Sequence, residues 1–174
     1  MSYSVFVAPA RTLLAQLLYD QPLTIAVGSG DPAWDSLPPP ATPDDLEKFL
    51  GELSQETALT NPVGFTRVRN KTFVVPDAKG DIIMSDGTKW SKSSDPSNAF
   101  LVEGLLDLTD AIDVTLRENG VYAGTEFDDT VLPGQMYIPL ANVKTLGTLV
   151  ELTRFPPIVR DGSLSQSLRE IPEI

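Results

Sequence analysis

The sequence predicts an α+β domain dominated by antiparallel sheet, with two short helices, about seven strands and extended terminal arms. Three observations predict it. Apolar residues recur at helical spacing in only two places. Elsewhere they alternate or form short runs. The 15 prolines and 12 glycines punctuate those runs with turns. With 174 residues, 41% hydrophobic and 21% charged, the chain can bury a core as one domain, 1–174, and carries too few charges for a disordered one.

Residues 9–19 read as a helix: Pro9 suits the first turn, and Leu13, Leu14, Leu17 and Leu18 fall on one face. After Pro22, residues 23–27 form a buried strand that runs into Gly28-Ser29-Gly30-Asp31-Pro32. The prolines in Trp34-Asp35-Ser36-Leu37-Pro38-Pro39-Pro40 exclude helix or central strand there, and Trp34 is expected to fold back over a core edge. A second helix spans 43–54. Thr42 caps it, Pro43 takes the first helical position, and Asp44 and Asp45 meet the positive end of the dipole. Leu46, Phe49, Leu50 and Leu53 make an apolar stripe expected to face a core.

From there the period is two. Residues 65–75 read as one strand whose Arg67, Arg69 and Lys71 share a face. A turn at 76–81, a short strand at 82–84 and a turn at Asp86-Gly87 follow, and 88–98 reads as a polar loop. Strands are expected at 99–108 and 111–117, then a turn at Asn119-Gly120 and a returning strand at 121–123. An acidic loop from Glu126 to Pro133 precedes a strand at 136–140, and the last strand, from Leu149 to Phe155, stops at Pro156-Pro157. Residues 1–8 and 161–174 are expected to be interaction arms that order on a neighbour, the second carrying Leu164, Leu168 and Ile171. No internal repeat or heptad run interrupts this pattern.

Composition narrows function. A net charge of −11 argues against nucleic acid, whose phosphates demand clustered cations. No stretch is long and apolar enough to span a membrane, and Met1-Ser2-Tyr3-Ser4-Val5-Phe6 lacks the basic region of a signal peptide, so synthesis and assembly in a cytoplasm are expected. With no cysteine and no histidine, disulfides, thiolate metal sites and imidazole-based catalysis are out of reach. Gly28-Ser29-Gly30-Asp31 lacks the rest of a phosphate-binding fingerprint and reads as a tight turn. The pairs Asp31/Asp35, Asp44/Asp45 and Asp128/Asp129 could in principle flank a glycosidic bond, but each also has a plain place at a turn or helix start. No calcium-loop spacing occurs. No catalytic residue, cofactor or metal is expected. The Arg67/Arg69/Lys71 stripe would meet an acidic partner or a second copy, or simply keep a sheet edge soluble.

The order of motifs resembles the N-terminal, baseplate-attachment domain of bacteriophage tail-collar and tail-fibre proteins of contractile-tailed phages. In Thr24–Leu53, Gly28, Gly30, Asp31, Pro43, Leu50 and Glu52 follow that domain's sequence of strand, Gly-rich turn, Pro-rich segment and short helix. Arg67 and Arg69 fall where its basic strand lies. Thr115–Tyr122 resembles a later strand, with Asn119 departing from the usual apolar residue, and Leu152–Ile158 resembles its proline-bearing close. The likeness runs from about residue 22 to 160. It implies a non-enzymatic virion protein that links tail fibres to a baseplate, works as an oligomer, and contacts other tail proteins. A chain ending at 174 reads as an adaptor or minimal anchoring subunit. The expected interface residues are Arg67, Arg69, Lys71, Trp34, Leu164, Leu168 and Ile171. Two other classes stand beside this one. A receptor- or carbohydrate-binding β-domain would use Trp34, Trp90 and Tyr122 for stacking. A carboxylate enzyme acting on polysaccharide would use one of the acid pairs.

Overall fold

A computed structural model describes residues 3–174. Helix α1 (Ala8–Tyr19) leads into β1 (Leu23–Gly28), a 3₁₀ turn (Pro32–Ser36) and α2 (Pro43–Leu53). Then come β2 (Pro62–Arg67), β3 (Asn70–Pro76), β4 (Ile82–Ile83), β5 (Lys89–Lys92), β6 (Ala99–Leu106) and β7 (Val114–Ala123). The chain closes with β8 (Glu126–Phe127), β9 (Tyr137–Pro139), β10 (Val143–Thr145), β11 (Thr148–Arg160) and β12 (Gln166–Glu170). All ladders are antiparallel, so the expected α+β class holds.

The strands form two five-stranded sheets, β11-β7-β1-β2-β9 and β12-β6-β3-β5-β4, and a β10-β8 ribbon. Ile25, Val27, Leu116 and Val121 of the first sheet share one core with Phe100, Val102, Leu106 and Leu168 of the second. A second cluster around Ala26, Phe65 and Tyr122 is closed by Phe127 and Val143 of the ribbon, so β1 is buried along its whole length. A third, with Val74, Trp90, Leu101 and Ile171, belongs to the second sheet.

Several local expectations yield to this topology. Residues 65–75 are not one strand: the chain leaves the first sheet after Arg67 and enters the second at Asn70. Asn119-Gly120 is no turn but the middle of β7, paired on both sides. A Cβ at Gly120 would lie 2.8 Å from Leu149 Cδ1 and 2.9 Å from the Glu151 carbonyl, so glycine there serves strand packing. The polar stretch 88–98 contains β5. The prolines do not stop β11, because it is an edge strand and bulges around them, its register passing from Arg154↔Glu118 to Ile158↔Leu116. The segment read as unable to be helical begins with the 3₁₀ turn, where Asp31 accepts the Ala33 N–H. Strands β5, β8, β10 and β12, none of them expected, account for most of the excess over the expected number.

Within the expected C-terminal arm, β12 pairs with β6 and the Ile174 N–H reaches Asn98 O. Leu168 and Ile171 are buried in the chain's own core, which corrects their reading as interface residues, while Leu164 is exposed.

Helix α2 starts as expected. Thr42 Oγ1 accepts the Asp45 N–H at 3.1 Å and Asp45 Oδ2 accepts the Thr42 N–H at 3.2 Å, a reciprocal cap. Thr42→Ala is expected to cost about 1 kcal/mol locally. Because α2 buries no residue fully, the loss should be seen as amide exchange about fivefold faster across 43–53, with the global unfolding midpoint nearly unchanged.

Candidate partner-binding surfaces

The α2 stripe expected to face a core stands partly outward instead, and so do three of the four leucines aligned on α1. On α1, Leu13, Leu14 and Leu17 are exposed, and the helix is held by Ala15, Leu18 and Tyr19. The Tyr19 ring stacks on Phe73 at 4.4 Å, and its hydroxyl donates to Lys71 O. On α2, Leu46 and Leu50 are 46% and 53% exposed, and Phe49 and Leu53 are half-buried. Leu50 and Leu53 border a shallow groove of about 260 Å³ against Leu149, Val150 and Leu152 of β11, rimmed by Glu56 and Glu151. None of the described helices is long and apolar enough to cross a membrane.

The three cations of the expected stripe serve separate places. Arg67 Nε donates to Gln135 O at 2.9 Å, and its guanidinium lies 5.0 Å from the Phe127 ring centroid. Arg69 sits at the crossing between sheets, exposed, its backbone N–H donating to Glu103 O. Lys71 Nζ donates to Tyr19 O and Gln21 O at the end of α1, and burial pulls the ammonium below its usual pKa against the opposing pull of Asp20. A stripe cannot survive when its strand divides between two sheets.

Trp34 folds back over Gly30, a position at φ +57° where a Cβ would strike the indole at 2.3 Å. The Arg154 guanidinium stands 4.0 Å from the centre of the same ring, and Arg154 Nη2 donates to Glu56 at 3.2 Å. Arg117 grips both oxygens of Asp35 at 2.7 Å, and this bidentate hydrogen bonding holds the Asp35 carboxyl below its ordinary pKa. The turn carrying Trp34 is thereby clamped onto β7 and β11. Trp90 and Tyr122, the other stacking candidates, are buried in the chain's own cores and offer no open ring face. Of the acid pairs, Asp31 caps the 3₁₀ turn, Asp35 binds Arg117, Asp45 caps α2, and Asp129 meets Lys144 at 3.0 Å.

Sequence reasoning missed a cleft of about 470 Å³ between β11 and β12. At its floor Glu170 Oε1 accepts from Asn119 Nδ2 at 2.8 Å and Oε2 from Thr153 Oγ1 at 2.7 Å. Burial raises the Glu170 pKa although both hydrogen bonds oppose it. Beside it, burial and then the charge of Glu170 push Glu151 up to about 8. The available signal was Glu151 between Val150 and Leu152 in a strand pattern, an acid where a strand turns toward a core. Among the described residues no three acids cluster so as to hold a metal ion.

The chain matches the family described as baseplate wedge 3 tail fiber network component over residues 3–174. It belongs to that family. No curated protein matches it. The baseplate wedge component is thus a structural protein of a bacteriophage tail, located in the virion, and the family agrees with the resemblance carried by Gly28, Gly30, Pro43 and the later strands. Membership also gives the outward leucines of α1 and α2 a context, since a permanent assembly part can leave apolar faces for its neighbours to cover.

Proposed function

We propose that this wedge component links tail fibres to the baseplate of a contractile tail, docking on neighbouring tail proteins through the outward faces of α1 and α2. The observation that carries the reading is that both helices hold leucines away from the core: Leu13, Leu14 and Leu17 on one, Leu46 and Leu50 on the other. Exposed apolar surface of this kind marks protein interfaces. No turnover of a small molecule is part of this role, and Asp31, Asp35, Asp45 and Asp129 of the acid pairs each have a structural partner.

The test is complementation of a phage lacking this gene with the variant pairs Leu13→Ser/Leu17→Ser and Leu46→Ser/Leu50→Ser. Exposed substitutions should leave the free protein's stability within about 0.5 kcal/mol each. Interface leucines are worth on the order of 1–2 kcal/mol apiece. Particles from at least one pair should therefore carry about tenfold fewer attached fibres in electron micrographs. Full fibre complements with both pairs, from folded protein, would remove the proposal.

A further inference from the structure

The cleft between β11 and β12 has a floor that is polar, buried and incompletely partnered. Asn119 is 5% exposed; its Nδ2 donates to Glu170, and its Oδ1 is buried without a hydrogen-bond partner. Gln166 Oε1, which lines the same cleft, is likewise buried and unmet. Each of these atoms is an acceptor, and Thr153 Oγ1, a donor at the same floor, is already given to Glu170. Among the described residues, the ion pairs leave Glu170 without a cation. Arg169, which also borders the cleft, is engaged by Glu103 at 3.1 Å. Phe155, Ile158, Leu168 and Met84 line the rest.

A ligand for this space must bring hydrogen-bond donors and positive charge at one end and apolar surface behind it. Phosphates and carboxylates would bring more acceptors to acceptors. A sugar hydroxyl could take a hydrogen bond from Ser85 or Ser167, which also line the cleft, but would bring no charge to set against Glu170. Lysine offers its donors at one compact point. A guanidinium spreads five N–H donors in a plane, suits acceptors contributed by β7 and β12, and lies well against an aromatic ring. We infer that the cleft receives an arginine side chain carried by a neighbouring tail protein, with Asn119, Gln166 and Glu170 accepting from its guanidinium and Phe155 and Leu168 along its stem. The inference rests on the reading of this chain as a docking component. The net charge of −11 favours approach of a basic segment. At about 470 Å³ the cleft falls in the range of ligand pockets, roughly 300–1,000 Å³.

The experiment is an NMR titration of the isotope-labelled full chain with N-acetyl-arginine amide and, in parallel, with its neutral citrulline counterpart. Saturable shifts at Asn119, Gln166 and Glu170 are expected with arginine, about tenfold tighter than with citrulline. Glu170→Gln should weaken arginine about tenfold. Should that variant lose the native spectrum, Gln166→Ala carries the test, because Gln166 lines the cleft and its Oε1 is buried without a hydrogen-bond partner. Absence of saturable shifts at the three residues would overturn the assignment. So would equal binding of citrulline, or native-like variants with unchanged affinity. The titration needs no virion, so its failure leaves helix docking standing, and failure of the leucine variants leaves the titration intact.

Discussion

Replacing Phe100 with alanine is expected to remove about 3–5 kcal/mol of folding stability, a large share of the roughly 5–15 kcal/mol that holds a domain of ordinary size. Phe100 is fully buried on β6, between the two sheets, in the cluster that includes Ile25, Val102 and Leu116. Its ring also meets Tyr19 edge-on at 5.5 Å and Phe73 at 6.3 Å. Removing the ring forfeits its transfer free energy and leaves a cavity whose walls belong to both sheets and to α1. Strands paired on both sides cannot collapse far to fill it. The urea midpoint should fall sharply with an unchanged slope, while Leu17→Ala, on the exposed face of α1, should barely move it. A loss below about 1 kcal/mol would contradict the shared inter-sheet core.

The elements legible in the sequence are those whose cause is local. Thr42-Pro43-Asp44-Asp45 carries a complete cap, and the reciprocal hydrogen bonds of Thr42 and Asp45 follow from those four residues alone. The run from Leu23 to Val27, apolar but for Thr24, announces a strand buried on both faces. Asn119-Gly120 shows the opposite. Its turn preference is real, but β1 and β11 flank it on either side, and the ladder hydrogen bonds of a central strand outweigh a local propensity. The Arg67/Arg69/Lys71 alternation is likewise genuine in one dimension and lost where the chain changes sheets. Apolar periodicity located α1 and α2, yet periodicity cannot say what a stripe faces; Leu46 and Leu50 look like core residues and stand in solvent. The cleft was illegible for a related reason. Asn119, Thr153, Gln166 and Glu170 come from three strands, and nothing in any one segment shows that they meet.

Stability is expected to fall as pH rises from about 5 to 8.5, on the order of a few kcal/mol, and Glu151→Gln should flatten most of that slope. Glu151 is pushed up to about 8 from 4.5 by burial and then by Glu170, whose own pKa is raised in the same direction. Between those two values the folded chain holds a proton that the unfolded chain has released. Stability therefore decreases with pH through this window, is fully retained below the unfolded value, and changes no further above the folded one. Asp35, Asp77, Asp86 and Asp161 are shifted the other way by hydrogen bonds. Their contributions are complete above the ordinary carboxylate range and are lost only in acid, which places the optimum in mildly acidic solution. The chain has no histidine and no cysteine, so no unperturbed side chain titrates between pH 5 and 8 to blur the result. Denaturation curves at pH 5, 6.5 and 8.5 on the parent and Glu151→Gln chains give the comparison. A flat or rising parent profile would mean that Glu151 is ionised in the folded state.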